Sequence, residues 1–378
     1  APPVHGAVAA LVAASGAISE DFLFQLLKSR QRRGAIPEPV SERLAWFAVN
    51  VALLHAIHTK AFRVSRFPAA FDWFFQNRRD VVAELVSTFG IEGLDEAHAK
   101  LSNAFIDSAM VDLLPYLLEP HGHVTRSELE RNHHSIQKRH RKRQAGVFYT
   151  PSDVAEFMVR ELVDDSQALT WLDPACGTAI FLREILRTRS VSIRQRYSAL
   201  EFCQRFLYGV DISPLATESA VFVLLAHCAI EETVDRPFDA WRALAQNFAP
   251  CDATLLSTKT EASLFDGGAL HLGELFPENS GGFDRIVMNP PYSAFTLNSL
   301  HVSLWESFRD LTPGTQGNLP VAFIEIMWKA CKAGGAAAAV LPLSIAASSH
   351  MQFRACRRTI SNSGGRWEFL FFDREPHA

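Results

Sequence analysis

The chain has 378 residues, enough for two or three domains, and its 48% hydrophobic and 21% charged residues are typical of an ordinary soluble protein. Its formal net charge of −4 excludes a strongly basic field over the whole protein, so a nucleic acid would have to bind to a local basic patch. The six cysteines form no CxxC pair, which argues against a zinc site or a disulfide framework. We therefore expect no metal and a reducing, cytoplasmic location.

The amino-terminal part of the chain, residues 1–140, is predicted to be a helical domain. Apolar residues recur at helical spacing in "VSERLAWFAVNVALLHAIHTKAF" and in "DVVAELVSTFG", with little strand signal. The Ala-rich start lacks the positive flank of a secretory signal. We expect no apolar run to reach membrane-spanning length: the closest, "GGAAAAVLPLSIAA", is interrupted by Pro342 and by polar residues, so we also expect no membrane partner.

A basic joint follows, "RNHHSIQKRHRKRQAG" at residues 131–146. One interpretation is a solvated linker or helix end. The other is a segment that contacts nucleic-acid phosphates, because its basic residues are dense in an otherwise acidic chain. The proposed phosphate-contacting residues are Lys138, Arg139, Arg141, Lys142 and Arg143.

The stretch "GVFYTPSDVAEFMVREL" has the pattern of a helix start. Thr150 is predicted to cap the helix with its hydroxyl, Pro151 suits the first turn, and Asp153 places a carboxylate near the helix amino terminus. On these residues alone, the simplest interpretation is a well-capped helix.

From about residue 150 onward, short β-like runs alternate with amphipathic stretches. This alternation predicts a doubly wound α/β domain with a mostly parallel sheet over residues 141–378. The expected strands are 169–173, 207–212, 262–265, 284–289, 336–341 and 367–372. The expected helices lie near 152–163, 179–189, 214–230, 319–332 and 349–361.

Acidic residues lie at or just after the ends of three of these predicted strands, at the edge of a doubly wound sheet where ligands bind. Asp173, in "TWLDPACGTAIF", could hold a cationic amino group, and Gly177 allows a ligand to approach the backbone. Asp211, in "LYGVDISP", could accept hydrogen bonds from ribose hydroxyls. Asp266 ends the run "SLFD" in the same way, and Cys176 is interpreted as a small packed residue.

The run "RIVMNPPY" ends in Asn289, Pro290, Pro291 and Tyr292. Two consecutive prolines cannot donate hydrogen bonds to a sheet ladder, so the strand must end there. An amide side chain, a rigid turn and an aromatic ring then follow. This combination suits a binding site better than a core.

The motifs "GVFYTP", "DPACGTAIF", "GVDISP", "SLFDG" and "VMNPPY" occur in one order and together resemble the amino-group DNA methyltransferases that modify adenine. More narrowly, they resemble the type found in restriction–modification and related phage-defence systems. The resemblance covers about residues 141–373. It implies a Rossmann-like class I fold after an all-α domain, S-adenosylmethionine as cofactor, and double-stranded DNA with a flipped-out adenine as substrate. Other subunits of a defence complex are expected as partners.

The resemblance also implies residue roles. The target-base residues are Asn289, Pro290, Pro291 and Tyr292. The residues that match the cofactor-binding motifs are Tyr149, Thr150, Pro151, Asp173, Ala175, Gly177, Asp211, Ile212 and Asp266. Phe323 and Glu325 lie on a helix that the family shares and are interpreted mainly as packing residues.

Two expectations concern departures from the family pattern. Ala179 stands where the family turn usually has a second glycine, which is costly if that residue needs a positive φ and harmless if it lies within the first helical turn. The family fold has a seventh, antiparallel strand, whereas only six are expected here. We therefore expect the natural chain to continue beyond residue 378 into the last strand and most of the DNA sequence recognition.

Three alternatives stay open on the sequence alone. The same pocket could serve a methyltransferase of RNA or of protein glutamine, although neither explains "GVFYTP" before the cofactor turn. The fold could be a scaffold without catalysis, which the intact "NPPY" argues against. The amine of cytosine also suits the same pocket.

Overall fold

The computed structural model of the protein describes two compact units. The first is formed by Ala1–Val124, Asp164–Thr170 and Cys176–Cys251, and the second by Thr125–Val163, Trp171–Ala175 and Asp252–Ala378. The residues described are 2–16, 20–27, 35, 37–60, 63–102, 108–120, 150–257 and 269–370. The predicted domain boundary near residue 140 lies outside these residues, so the division at 140 stays a prediction.

The first unit contains most of the helices that the structure describes. Its helices are α1 (Pro2–Ala14), α2 (Glu20–Leu27), α3 (Val40–His58), α4 (Phe67–Phe75), α5 (Arg79–Ser102, broken at Gly90), α6 (Ser108–Leu117), α8 (Ile180–Thr188), α9 (Val191–Arg196), α10 (Ala199–Phe206), α11 (Pro214–Glu231) and α12 (Pro237–Leu244). Its strands, β2 (Leu207–Asp211) and β3 (Phe248–Pro250), pair in parallel with Asp211 opposite Pro250.

An aromatic core joins the amino-terminal helices of this unit to those that follow β2. Phe47 of α3 packs edge-on against Phe222 of α11 and Trp241 of α12, with ring centroids 5.4 Å apart in both pairs. Phe74 of α4 meets Phe47 at 5.8 Å. Aromatic pairs at these distances stabilise a core beyond the burial of their surface. The amino-terminal helices therefore share one core with α11 and α12.

A buried ion pair crosses the same interface. The Arg43 guanidinium of α3 donates to the Glu218 carboxylate of α11, and only 7% of either side chain is exposed. Glu38, just before α3, accepts from the Ser213 hydroxyl at 2.6 Å and from the Leu215 amide at 2.8 Å, at the amino terminus of α11. These polar contacts fix the register between α3 and α11.

The second unit carries a parallel ladder of three strands. In it β1 (Trp171–Asp173) pairs with β6 (Phe283–Met288), which pairs with β9 (Cys331–Ala339). The other elements of the unit are α7 (Ser152–Arg160), β4 (Leu256–Ser257), β5 (Leu270–His271), α13 (Leu272–Leu275), β7 (Ala294–Thr296), α14 (Ser299–Leu304), β8 (Gln316–Asn318), α15 (Leu319–Ala330), α16 (Ser344–Ala347) and α17 (Met351–Asn362). Parallel ladders between helices confirm the predicted α/β class.

Four of the predicted strands are confirmed with small shifts: 169–173 as β1, 207–212 as β2, 284–289 as β6 and 336–341 as β9. The strand β9 begins earlier than expected because residues 332–335 bulge from the register with β6. Gly334 in this bulge has a φ of 78°, and a Cβ on Gly335 would come within 2.8 Å of the Asp284 carbonyl. Glycine therefore permits the bulge.

Of the other two predicted strands, one lies outside the described residues and one is wrong. The run 262–265 lies outside the described residues, so this strand stays a prediction. The structure shows a different third strand, β3, which the sequence did not predict because "FAP" is short and ends in proline. The strand expected at 367–372 is wrong for residues 367–370, which have no strand pairing, while residues 371–372 lie outside the described residues.

Two helices, Val40–His58 and Pro214–Glu231, are long and apolar enough to cross a membrane by composition alone. The sequence-based expectation that no run reaches that length is therefore wrong. Most of each helix is buried, 78% and 83% of the apolar window respectively, because α3 and α11 pack into the core described above. Burial of this kind is typical of core helices.

We predict that the Arg43–Glu218 pair makes a large contribution to stability. Glu218→Ala should lower the free energy of unfolding by about 3–5 kcal/mol, because it leaves the Arg43 charge buried. Chemical denaturation monitored by circular dichroism measures this. Arg43→Met/Glu218→Leu should recover most of the loss. Arg205→Ala, which removes an exposed pair with Glu201 and the contacts of the guanidinium with the Tyr197 and Phe206 rings, should cost at most about 1–2 kcal/mol.

Comparable losses in Glu218→Ala and Arg205→Ala would contradict the assignment of a special role to the buried pair.

Candidate active site

The tetrapeptide Asn289–Tyr292 begins where β6 ends. The last hydrogen bond between this strand and the segment that continues β9 is donated by the Val340 amide to the Met288 carbonyl, at 3.0 Å. The two prolines that follow carry no N–H, so the ladder cannot continue. Pro290 is buried, whereas Asn289 and Tyr292 are half-buried. Burial raises the pKa of Tyr292 to about 12, which favours the neutral phenol still further.

Thr150 contacts this tetrapeptide. Its side chain is buried, with 5% of the residue exposed, and its Oγ1 accepts a hydrogen bond from Asn289 Nδ2 at 3.1 Å. The prediction that the Thr150 hydroxyl caps α7 is therefore wrong: the N-cap residue is Pro151, with no side-chain cap. The hydroxyl serves the Asn289 amide instead. This contact joins "GVFYTP" to "NPPY", which lie 139 positions apart.

Asp153 lies in the first helical turn as predicted, whereas Pro151 lies one position earlier than predicted, at the N-cap. Pro151 precedes the first helical residue with a φ of −59°, and Asp153 lies in the first turn, where its Oδ1 accepts from the Val154 amide at 2.9 Å. A carboxylate there complements the positive end of the helix dipole.

Asp173 lies at the carboxyl end of β1, in the same parallel ladder as β6. It is 1% exposed, and its Oδ1 accepts from the Ala175 amide at 3.0 Å. Because parallel strands end at one edge of their ladder, the turn at 173–175 and the tetrapeptide after β6 belong to the same edge of the second unit. The structure thus brings together Thr150, Pro151, Asp173, Ala175 and the tetrapeptide within one unit.

Asp211 organises the corresponding edge of the first unit. Its Oδ2 accepts from the Gly177 amide and its Oδ1 from the Ser213 amide, both at 2.9 Å. The neighbouring Ile212 is 41% exposed, so its apolar surface is open to solvent. Gly177 has a φ of 49°, and nothing lies within 4 Å of where its Cβ would be. Open space therefore adjoins the glycine.

Ala179 has a left-handed backbone, with a φ of 67° and a ψ of 39°, at the N-cap of α8. Of the two alternatives for this residue, the structure supports the costly one, since a left-handed conformation costs a non-glycine residue about 1–2 kcal/mol. The methyl group is buried, and the Ala179 amide bonds to the Cys176 carbonyl at 2.8 Å. Buried packing of the methyl offsets part of that cost.

Several predicted residues lie outside the described part of the chain. They are Tyr149 and Asp266, and the basic residues Lys138, Arg139, Arg141, Lys142 and Arg143. The expectation that the protein holds no metal stays a prediction. Among the described residues, no three His, Cys, Asp or Glu residues cluster as metal ligands do.

Sequence reasoning missed one acid at a strand end. Asp252 comes two residues after β3, and its Oδ1 accepts from the Thr254 amide at 2.9 Å and from the Thr254 hydroxyl at 2.7 Å. The signal was the acid in "FAPCDA", hidden because "FAP" does not resemble a strand. By position, Asp252 is a candidate for the role that the sequence assigned to Asp266.

Glu325, interpreted as a packing residue, does more than pack. It is buried on α15, and its two carboxylate oxygens accept from the Glu306 amide at 2.9 Å and the Ser307 amide at 2.6 Å. It thus fastens a turn in the segment that follows the tetrapeptide. Phe323 is buried on the same helix, as expected.

Comparison with known proteins decides the family. The sequence profile described as N-6 DNA Methylase matches residues 136–358, which is more than half of the chain. The chain belongs to this family. The match includes the stretch from Thr150 to Tyr292, and it confirms the resemblance that the motifs gave.

One curated relative is also a methyltransferase. The chain is 33% identical over 92 residues to the Type II methyltransferase M.VspI of Vibrio sp. (strain 343), a match that covers 24% of this chain and 20% of M.VspI. The match thus spans about a fifth of that relative's length.

Two solved structures resemble this chain. The cryoEM structure of the DrdV-DNA complex matches with a TM-score of 0.52 and 15% identity, covering 96% of this chain and 36% of that one. At this identity the likeness shows the fold alone. A type I restriction-modification system methyltransferase subunit from Streptococcus thermophilus matches with a TM-score of 0.45 and 14% identity, covering 94% of this chain and 78% of that one.

We predict that the Thr150 hydroxyl is needed to hold the Asn289 amide. Thr150→Val keeps the side-chain shape but removes the acceptor of the Nδ2 hydrogen bond, which is worth about 1–3 kcal/mol when its partner is left unsatisfied. The methyl-transfer rate constant at saturating cofactor should fall about 10- to 100-fold. Thr150→Ser should retain most of the rate.

Equal rates for Thr150→Val and wild type would show that the amide needs no such support. A loss in Thr150→Ser as large as that in Thr150→Val would assign the defect to packing instead.

Proposed function

We propose that this chain carries the catalytic region of an S-adenosylmethionine-dependent DNA methyltransferase that modifies the exocyclic amino group of adenine. The observation that carries the proposal is the Asn289–Tyr292 tetrapeptide at the end of β6, with its amide nitrogen committed to Thr150. Membership of the N-6 DNA methylase family supports the same reaction.

The tetrapeptide suits the chemistry of an aromatic amine. The amino group of adenine is a weak nucleophile because its lone pair is delocalised into the ring. Acceptance of its two N–H bonds by the Asn289 side-chain oxygen and the Pro290 carbonyl would draw the nitrogen toward tetrahedral geometry. Neither proline nitrogen carries a hydrogen that could compete. Tyr292 belongs to the same turn, and its neutral ring would stack on the base.

The residues at the strand ends fit the cofactor. In the first unit, Asp211 is a carboxylate suited to ribose hydroxyls, Ile212 offers an exposed apolar surface for a purine ring, and space adjoins Gly177. In the second unit, Thr150, Pro151, Asp173 and Ala175 are proposed to line the methionine part. S-adenosylmethionine, when bound, supplies a methyl group on a positively charged sulfur.

Double-stranded DNA is the proposed substrate, with the target base flipped out of the duplex, because a stacked base cannot reach such a turn. The basic residues Lys138, Arg139, Arg141, Lys142 and Arg143 are proposed to contact its phosphates. A restriction–modification or phage-defence role, a cytoplasmic location and partner subunits belong to the same proposal. The division into a helical domain (1–140) and a catalytic domain (141–378) is also part of this proposal.

Two substitutions separate methyl transfer from cofactor binding. Asn289→Ala should lower the methyl-transfer rate at least about 100-fold and leave the dissociation constant of S-adenosylmethionine nearly unchanged, because it removes an acceptor for the target amine only. Asp211→Ala should raise that dissociation constant about 10- to 100-fold, because it removes charge-assisted hydrogen bonds. Calorimetry and a radiolabelled methyl-transfer assay on duplex DNA measure the two quantities.

Asn362→Ala and Asp310→Ala, which replace exposed residues of the same types, serve as controls and should change neither quantity. Loss of cofactor binding in Asn289→Ala would contradict the assignment of Asn289 to the target base. Unchanged cofactor binding in Asp211→Ala would remove Asp211 from the site. Transfer to RNA or to protein glutamine, but not to DNA, would overturn the proposed substrate.

A further inference from the structure

The stretch between Glu325 and Glu368 differs in charge from the rest of the chain. Residues 326–367 contain no Asp or Glu, whereas the whole chain has a net charge of −4. The basic residues in this stretch are Lys329, Lys332, Arg354, Arg357, Arg358 and Arg366. A local excess of positive charge is the electrostatic feature that a nucleic-acid backbone requires.

Four of these six basic side chains have partners within the protein. Lys329 donates to the Leu304 carbonyl at 2.7 Å, and Lys332 pairs with Asp284 at 3.1 Å. Arg357 donates to the Ile345 carbonyl at 2.8 Å and to the Ser348 carbonyl at 2.7 Å, which fixes the turn before α17. Arg366 lies 3.6 Å from Glu368.

The remaining two, Arg354 and Arg358, are exposed, and within the described part of the chain neither side chain has an ion pair or a hydrogen bond. They lie four residues apart on α17, so one helical turn, about 5.4 Å, separates them along the axis. They point to the side opposite Gln352, Cys356 and Ile360, which are all buried. Such a helix offers two guanidinium groups to one ligand surface.

A buried side chain ties α17 to the segment that follows the target-base tetrapeptide. Gln352 Oε1 accepts from the Asn318 amide at 2.9 Å and from Asn318 Nδ2 at 2.6 Å, while its Nε2 donates to the Gln316 carbonyl at 2.5 Å. Gln316–Asn318 forms β8, which pairs with β7, and β7 begins two residues after Tyr292. The two arginines therefore belong to an element fixed to that segment.

We propose that Arg354 and Arg358 bind the phosphates of the DNA backbone beside the flipped target base. Guanidinium groups bind phosphate oxygens in a bidentate manner. Their spacing matches one or two nucleotides along a strand, given a rise of about 3.4 Å per nucleotide. Contacts of this kind position the duplex and do not read its sequence. The inference rests on the proposed DNA substrate and adds a second basic surface to residues 138–143.

The test uses the full chain with saturating cofactor and fluorescent DNA duplexes of several sequences. Arg354→Gln/Arg358→Gln should raise the dissociation constant at least about tenfold for every sequence. The slope of log affinity against log salt concentration should become shallower by about 2, since each lost phosphate contact contributes about 0.9. The affinity for S-adenosylmethionine and the melting temperature should not change.

Two further variants make the result specific. Arg354→Lys/Arg358→Lys, which keeps both charges, should retain most of the salt slope. Arg196→Gln/Arg242→Gln, a control that removes two other exposed helical arginines, should leave both slope and affinity as in the wild type.

If the wild-type chain binds DNA and the salt slope of Arg354→Gln/Arg358→Gln is unchanged, the proposal is overturned. The exposed side of α17 is then an ordinary solvated helix face. Failure of the wild-type chain to bind or methylate DNA would overturn the proposed function as well, so the two failures differ. Preferential binding of an RNA duplex would also contradict the proposal.

Discussion

The hydrogen bond from Asn289 Nδ2 to Thr150 Oγ1 is the contact on which the proposed site depends. An asparagine amide presents a donor and an acceptor of nearly equal size, and catalysis on an amine requires the acceptor in a fixed place. In the structure the Thr150 hydroxyl accepts from the amide nitrogen, so the nitrogen and not the oxygen of Asn289 faces Thr150. The contact also couples the start of α7 to the end of β6, so one interaction joins two motifs that the sequence keeps far apart.

Each unit arranges its candidate site residues by the same rule: strand ends in a parallel ladder share an edge. In the second unit, this brings Asp173 and the tetrapeptide to one edge. In the first unit, Asp211 is the last residue of β2, and both its oxygens accept hydrogen bonds from backbone amides, which orders the turn that begins after Cys176. Such carboxylates are positioned before any ligand arrives, which lowers the cost of ordering on binding.

Sequence patterns predicted the strands that carry the motifs because apolar runs that end in Asp or Asn–Pro–Pro leave a clear signal. They failed at β3, where "FAP" gives no alternation, and Asp252 was missed with it. They also misassigned the Thr150 hydroxyl, because a local helix-start pattern cannot reveal a partner 139 residues away. The positive φ of Ala179 was similarly beyond reach, since a backbone angle at a turn depends on the packed neighbours.

The most direct measurement of the central claim is the incorporation of labelled methyl groups from S-adenosylmethionine into unmethylated genomic DNA, followed by digestion and nucleoside analysis. The account predicts that the label is found in N6-methyladenine and that Asn289→Ala abolishes it. Label in 4-methylcytosine would keep the fold and the reaction but overturn adenine as the target. DNA that stays unlabelled while the chain binds S-adenosylmethionine would contradict the account.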